Sequence, residues 1–469
     1  MASIPSRLRF FGPHNLEEIP QVSRLSADDL VSMKAVSAVL PFRVNEYVVN
    51  HLIDWERVPE DPMFQLTFPQ RGMLSKSDHD YMVDLVRSGA PRLELRAAAR
   101  PIQMRLNPHP AGQLSLNVPM EGGERLPGIQ HKYRETVLLF PTPGQTCHSY
   151  CSYCFRWAQF VGVEDLKFAS KEPQRLAAYI RGKPDVSDVL FTGGDPMVMK
   201  THVLRRYVEP LLDIEHVATI RIGTKSLAYW PHRFVHDDDA DDLLRLFEEI
   251  RERGKQIALM GHYSHWVELE TDVARQAIER VRSAGAVVRT QAPLIRHVND
   301  DPEVWTRMWR TQVRLGAVPY YMFVERDTGP SDYFSVPLAG GLAIYESAYR
   351  RVSGLGRTAR GPSMSCTPGK ILVDGVAEVA GEKVFALKML QGRDPEWVNR
   401  IAFAKYDAEA RWIDDLQPAF GASEFFWDAD PECSTPLRRE PTSKGRIPLK
   451  VVGSSDRDDG TTPLRRVGS

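Results

Sequence analysis

Three of the five cysteines fall within eight residues, in Thr146-Cys147-His-Ser-Tyr-Cys151-Ser-Tyr-Cys154. The spacing C-x3-C-x2-C lets three thiolates ligate three irons of a cubane and leaves the fourth iron open to an outside ligand. A cluster that only carried electrons would be closed by a fourth cysteine, and none stands nearby in the sequence. Cys366 and Cys433 are isolated and read as small buried or bystander residues. A structural zinc site also wants four ligands, and His148 is badly placed for that between two cysteines. The chemistry suggested is an iron–sulfur cluster with one exchangeable position. A non-catalytic iron–sulfur or zinc protein is the competing reading.

Further along, polar clusters follow short apolar runs. Leu190-Phe-Thr-Gly193-Gly194-Asp195-Pro196 joins two glycines, which let a backbone approach a ligand closely, to a carboxylate suited to an ammonium group. Alone, such a segment is more often a tight turn. Arg221-Ile-Gly-Thr224, Gly261-His262-Tyr-Ser-His265 and Thr290-Gln291-Ala-Pro-Leu-Ile-Arg296 have the same form. A single histidine in such a place more often makes a structural hydrogen bond than does catalysis. Their common address at strand ends carries the functional reading.

The elements that must position these residues form a series of βα units. Strands are expected at 136–140, 188–192, 217–222, 256–260, 286–290 and 318–323, each followed by a loop and a helical pattern. The clearest helix has an N-cap at Thr271, an apolar face of Val273, Ala277, Ile278 and Val281, and a stop at Gly285. Six units suit an α/β fold with a partial (βα)6 parallel barrel, whose working loops follow the C-terminal strand ends. Before it, helices broken by Pro59, Pro62 and Pro69 are expected, one starting at Ser75-Lys-Ser-Asp. After Gly354 a hairpin with strands near 370–373 and 383–387 introduces a small α+β region. The expected divisions are a helical N-terminal region at 1–130, the barrel at 131–345 and a C-terminal region at 346–431. A flexible tail at 432–469 has too few large apolar residues to offset its ordering entropy.

With 469 residues, 42% hydrophobic and 26% charged, the chain can bury a large core. A net charge of -1 and the lack of any like-charge block argue against nucleic acid or a membrane as partner. No signal-peptide or membrane-spanning run is read, so a cytoplasmic protein acting on a small molecule is expected.

Taken in order, the segments from about Leu40 to Phe403 resemble the radical S-adenosylmethionine superfamily and, within it, the lysine 2,3-aminomutase family. They include Pro41-Phe-Arg-Val-Asn, Leu52-Ile-Asp, the cysteine motif followed by Phe-Arg, Thr-Gly-Gly-Asp and Arg-Ile-Gly-Thr. His262-x-x-His265, Gln291 with Arg296-His-Val-Asn-Asp300, and Pro319-Tyr-Tyr complete the set. The resemblance implies a [4Fe–4S] cluster on Cys147, Cys151 and Cys154, with S-adenosylmethionine on the open iron. Its cleavage yields a 5′-deoxyadenosyl radical that abstracts hydrogen from an amino-acid substrate. Gly193, Gly194, Asp195, Thr224, His262 and Gln291 would surround the S-adenosylmethionine. Arg156 would grip the substrate carboxylate, Asp374 a substrate amine, and Lys383 would carry pyridoxal phosphate. A flavodoxin or ferredoxin reductant and self-association are also implied.

Three departures from the family stand out. The stretch from Asp374 to Lys383 is longer than its counterpart and reads as a hairpin. Thr136 replaces an arginine before the first strand, although Lys132 is present. Arg326 occupies the place of a second acidic substrate contact. With pyridoxal phosphate the expected reaction is an isomerisation, the 2,3-migration of an amino group. Without it, another rearrangement or a redox outcome remains. A lysine on a partner protein is a third possible substrate, as in family members that act on an elongation factor.

Overall fold

The computed structural model describes residues 8–107, 117–162, 168–430 and 433. Apart from Cys433, the expected tail at 432–469 lies outside the described residues. Before the sheet, helices α1 (Ala27–Val39), α2 (Lys76–Arg87) and α3 (Arg92–Leu106) pack on one another. A capping box of Ser26 and Asp29 starts α1. The Ser75 hydroxyl, accepting from the Asp78 backbone N–H, starts α2.

Eleven strands then form one sheet in sequence order: β1 (Ile129–Tyr133), β2 (Thr136–Leu139), β3 (Asp188–Phe191), β4 (Thr219–Thr224), β5 (Gln256–His262), β6 (Val287–Leu294), β7 (Val318–Val324), β8 (Arg360–Ser365), β9 (Gly369–Val379), β10 (Glu382–Gly392) and β11 (Ile401–Lys405). The seven strands β2 to β8 run parallel. β1 and β9 to β11 add antiparallel edges. Parallel neighbours need crossovers. These are α4 (Pro173–Arg181), α5 (Thr201–Leu212), α6 (Ala240–Glu252), α7 (Asp272–Ser283), α8 (Pro302–Arg314) and α9 (Leu338–Arg350). The expected strands at 136–140 through 318–323 overlap β2 to β7. The seventh parallel strand, β8, is additional: Arg-Gly-Pro-Ser-Met-Ser carries no β-branched or aromatic residue to signal it.

The sheet curls on itself. Lys132, on edge strand β1, hydrogen-bonds through Nζ to the carbonyl of Cys366, directly after β8. Seven strand spacings in a flat sheet would hold those residues roughly 34 Å apart. Alternation sorts the strand residues between the two faces. Val189, Phe191, Ile220 and Ile222 are fully buried on the helical side, whereas Asp188, Leu190, Arg221 and Gly223 keep some exposure on the concave side.

The hairpin is longer than the sequence suggests. β9 and β10 pair from Gly369 with Gly392 to Val379 with Glu382, around Ala380 and Gly381 at positive φ. Their inner halves cover a second core that includes Met364, Ile371, Val373, Phe385, Leu387 and Trp412. The sheet therefore continues into 346–431 without a break. Among the described residues no helix is long and apolar enough to cross a membrane.

Candidate active site

The loop after β2 carries Cys147, Cys151 and Cys154 over the C-terminal strand ends, with all three thiols free of disulfides. The N-terminal region holds this loop. Asn45, fully buried, donates through Nδ2 to the carbonyls of His148 and Tyr229 and through its backbone N–H to Ser149 Oγ. Arg43 donates to Thr146 Oγ1 at 2.8 Å, and its carbonyl accepts from the Tyr150 N–H. Ser152 donates through its backbone to the Leu66 carbonyl. From the sheet side, the Asp195 N–H donates to the Thr146 carbonyl at 2.7 Å. A Cβ on Gly194 would stand 2.4 Å from that same oxygen. Glycine is needed at 194 because the cysteine loop itself presses on it.

Burial pushes all three thiols up, and each is pushed further by its cysteine neighbours or nearby carboxylates: Cys147 well above its usual range, Cys154 to about 12. Three thiolates in so dry a place need positive charge among them, which the irons of a cluster bring. Among the described residues no three His, Cys, Asp or Glu side chains converge tightly enough for one metal ion. A zinc ion would draw its ligands to within about 2.0–2.3 Å of one point, whereas a cubane takes each thiolate on a separate iron. Three free thiols on one loop are the donor type that a cubane takes, one on each of three irons. Beside it, Tyr229 Oη lies 3.5 Å from Cys151 Sγ, and Lys225 forms a buried ion pair with Glu268 at 2.6 Å.

The residues expected around S-adenosylmethionine come together at the ends of β3 to β6. His262 and Gln291 are register partners on β5 and β6, with His262 Nε2 2.8 Å from Gln291 Nε2. Burial, then Lys225 and Arg156, pushes His262 down to about 3, so it is neutral at ordinary pH. Asp195 behaves differently from the sequence expectation of a carboxylate available to an ammonium. Its oxygens already accept from Thr224 Oγ1, Ser226 Oγ and the backbone N–H groups of Met197 and Lys225. Asp195 and Thr224 lock two loops together. Gly193 has φ +136°, and a Cβ there would strike the Gln145 side chain. Arg156 is held between the Phe140 and Phe155 rings and donates to Thr192 Oγ1 at 3.4 Å. Burial, together with Arg326, pushes its guanidinium down to about 10.

Asp374 and Lys383 are not gathered with these residues. Both are exposed on the hairpin, and the Lys383 ammonium lies 3.7 Å from the centre of the Tyr406 ring. A lysine there lacks the shelter that a carbonyl-binding amine requires. One lysine that has such shelter is Lys370, at the start of β9, which the sequence does not single out. It faces the concave side, 4.3 Å from the Tyr321 ring centre and 2.9 Å from Gln391 Oε1. Burial, then Arg221, Arg360 and Lys132, pushes it down to about 7. A Cβ on the preceding Gly369 would stand 2.1 Å from the Gln391 carbonyl oxygen. The Pro-Gly directly before Lys370 was the available sequence signal. Lys132 shares this interior and is likewise pushed down to about 7 by burial, with Arg393 and Arg326 adding to it.

No family model matches the chain. A putative L-lysine 2,3-aminomutase of Aquifex aeolicus (strain VF5) is 31% identical over 401 residues, covering 85% of this chain and 92% of that protein. The L-lysine 2,3-aminomutase of Bacillus subtilis (strain 168) is 27% identical over 276 residues, 58% of this chain and 55% of its own length. Among solved structures, Streptococcus suis SuiB bound to the precursor peptide SuiA aligns at a TM-score of 0.35 and 12% identity, over 61% of this chain and 62% of that one. That likeness is too slight to bear on the fold.

Proposed function

The chain belongs to the lysine 2,3-aminomutase family of radical S-adenosylmethionine enzymes, and on that premise we propose that it moves an amino group between adjacent carbons of an amino acid. Cys147, Cys151 and Cys154 would hold the [4Fe–4S] cluster. His262, Gln291 and the backbone at Gly193 and Gly194 would line the S-adenosylmethionine, and Lys370 would carry pyridoxal phosphate. When bound, these groups supply a 5′-deoxyadenosyl radical and a carrier for the migrating nitrogen. A one-electron donor such as flavodoxin or ferredoxin would serve the cluster.

The chain's own residues do the rest. Arg156 presents a planar fork of donors to the substrate carboxylate, and the rings on either side of it exclude water and fix its direction. Asp195 and Thr224 orient the loops without spending their hydrogen bonds on a ligand. Lys370, with its proton affinity lowered, offers a neutral amine near pH 7. The observation that carries this reading is the placing of three free thiols over the strand ends beside Arg156 and His262, with the sheltered Lys370 on the concave face.

The test begins with anaerobic reconstitution of the cluster and measurement of 5′-deoxyadenosine after adding dithionite. Borohydride reduction with pyridoxal phosphate, followed by peptide mapping, should label Lys370 and spare Lys383, and Lys370→Ala should abolish the label. Cleavage of S-adenosylmethionine without any labelled lysine would sink the aminomutase reading while leaving a radical enzyme. Absence of cleavage from a fully iron-loaded protein would sink both.

A further inference from the structure

The concave face carries positive charge that the protein does not neutralise. Arg156 and Arg326 lie 5.0 and 5.3 Å from the centre of the same Phe155 ring. Among the described residues the Arg156 guanidinium donates to a threonine hydroxyl and forms no ion pair. Among the described residues the Arg326 guanidinium forms no ion pair, and it lies over that ring. Lys132 gives its ammonium to a carbonyl, Lys370 to an amide oxygen, and Arg360 lies over the Tyr320 and Tyr321 rings. Asp188, the carboxylate beside Lys370, already accepts from Arg221 at 2.7 Å.

Partly desolvated cations without partners cost free energy, which an arriving anion returns. The phosphate of pyridoxal phosphate would answer the deeper pair of Lys132 and Arg360, and one substrate carboxylate would answer Arg156. Arg326 is then left over, facing the same ring as Arg156. A diamine such as lysine would bring a second ammonium against it, a like-charge contact that works against binding.

We propose that the substrate is an α-amino dicarboxylate, with Arg156 and Arg326 each taking one carboxylate across the Phe155 ring. This rests on the reading of the site as one that transforms a free amino acid.

The experiment is equilibrium calorimetry on the full-length, cluster-loaded protein with S-adenosylmethionine and pyridoxal phosphate, without reductant, so that no turnover occurs. The probes are L-glutamate, its neutral isostere L-glutamine, and L-lysine. Glutamate should bind at least ten-fold more tightly than either of the others. Arg326→Gln should bring glutamate down to the glutamine level, and Arg326→Lys should keep part of the preference. A thermal melt of each variant separates a failure to fold from a loss of contact. Binding of lysine or glutamine as tight as that of glutamate, or a preference that survives Arg326→Gln, overturns the proposal. Release of 5′-deoxyadenosine after adding dithionite is read separately. If it fails while glutamate selectivity holds, the radical reading falls and the substrate class stands; the reverse pattern removes the substrate class alone.

Discussion

Lys370 carries a structural cost that its proposed role as an amine would put to use. Its pKa falls from 10.5 to about 7 because burial and three neighbouring cations disfavour the ammonium. Below pH 7 the folded protein carries that desolvated charge. Between about 7 and 10.5 the unfolded chain holds a proton that the folded protein lacks, so stability rises with pH across this window. In the protein free of pyridoxal phosphate, Lys370→Met should therefore stabilise most below pH 7, and its advantage should shrink as pH approaches 10.5. Denaturant titrations on either side of pH 7 check this, and an advantage that grows with pH would contradict it. Tyr229 offers a second test. Its hydroxyl is placed to donate to the Cys151 thiolate once iron is bound, and such hydrogen bonds raise a cluster's reduction potential. Tyr229→Phe should lower the midpoint potential measured by spectroelectrochemistry, while iron content stays unchanged.

Among the elements, the loop that carries the cysteines is positioned from two sides that are far apart in sequence. Asn45 reaches it from the N-terminal region and Gly194 from the end of β3. Asn45→Ala would strip buried carbonyls at His148 and Tyr229 and the Val48 N–H of their partner. A loss of about 2–3 kcal/mol in unfolding free energy is expected. Gly194→Ala forces Cβ against the Thr146 backbone, so the loop must move. It should reduce iron bound per chain after reconstitution while leaving the melting temperature less affected than Asn45→Ala does. Equal iron loading in wild type and Gly194→Ala would show that the loop adapts. Both positions lie in segments quoted for the family resemblance, Pro41-Phe-Arg-Val-Asn and Thr-Gly-Gly-Asp. Their shared job of clamping one loop is invisible until the two segments are seen in contact.

Across the whole molecule, stability should follow the layering. The parallel strands are covered by helices on one face, with Ile220, Ile222, Ile257 and Leu259 fully buried. The outer half of the β9–β10 hairpin has exposed residues at Val376, Ala377, Glu378 and Val379. Amide exchange should be slowest in β4 and β5 and fastest around 376–382, by several orders of magnitude, as expected where few apolar contacts resist opening. Comparable protection at the hairpin tip would mean that something covers it in solution. The curl that joins β1 to β8 through Lys132 brings seven strands' worth of side chains onto one concave face.

Much of this was readable from residue order alone, and for local reasons. The cysteine spacing points to a cluster because ligation depends on thiolates a few residues apart, and the structure leaves the three thiols free on one loop. β2 to β7 announce themselves because alternating βα segments leave a periodic apolar trace. The N-caps at Ser75 and Thr271 were readable because capping is decided within four residues. Three features were decided only by the tertiary structure. β8 has no propensity of its own and is a strand because β7 and β9 pair with it. Asp195, which looks like a ligand in sequence, is saturated by donors from the following loop and strand. Lys370 rather than Lys383 is the sheltered lysine, because shelter depends on which side of the sheet a residue faces and on cations supplied by strands up to eight places away. Burial, and the proton affinity that follows from it, belongs to the packed chain and has no counterpart in spacing.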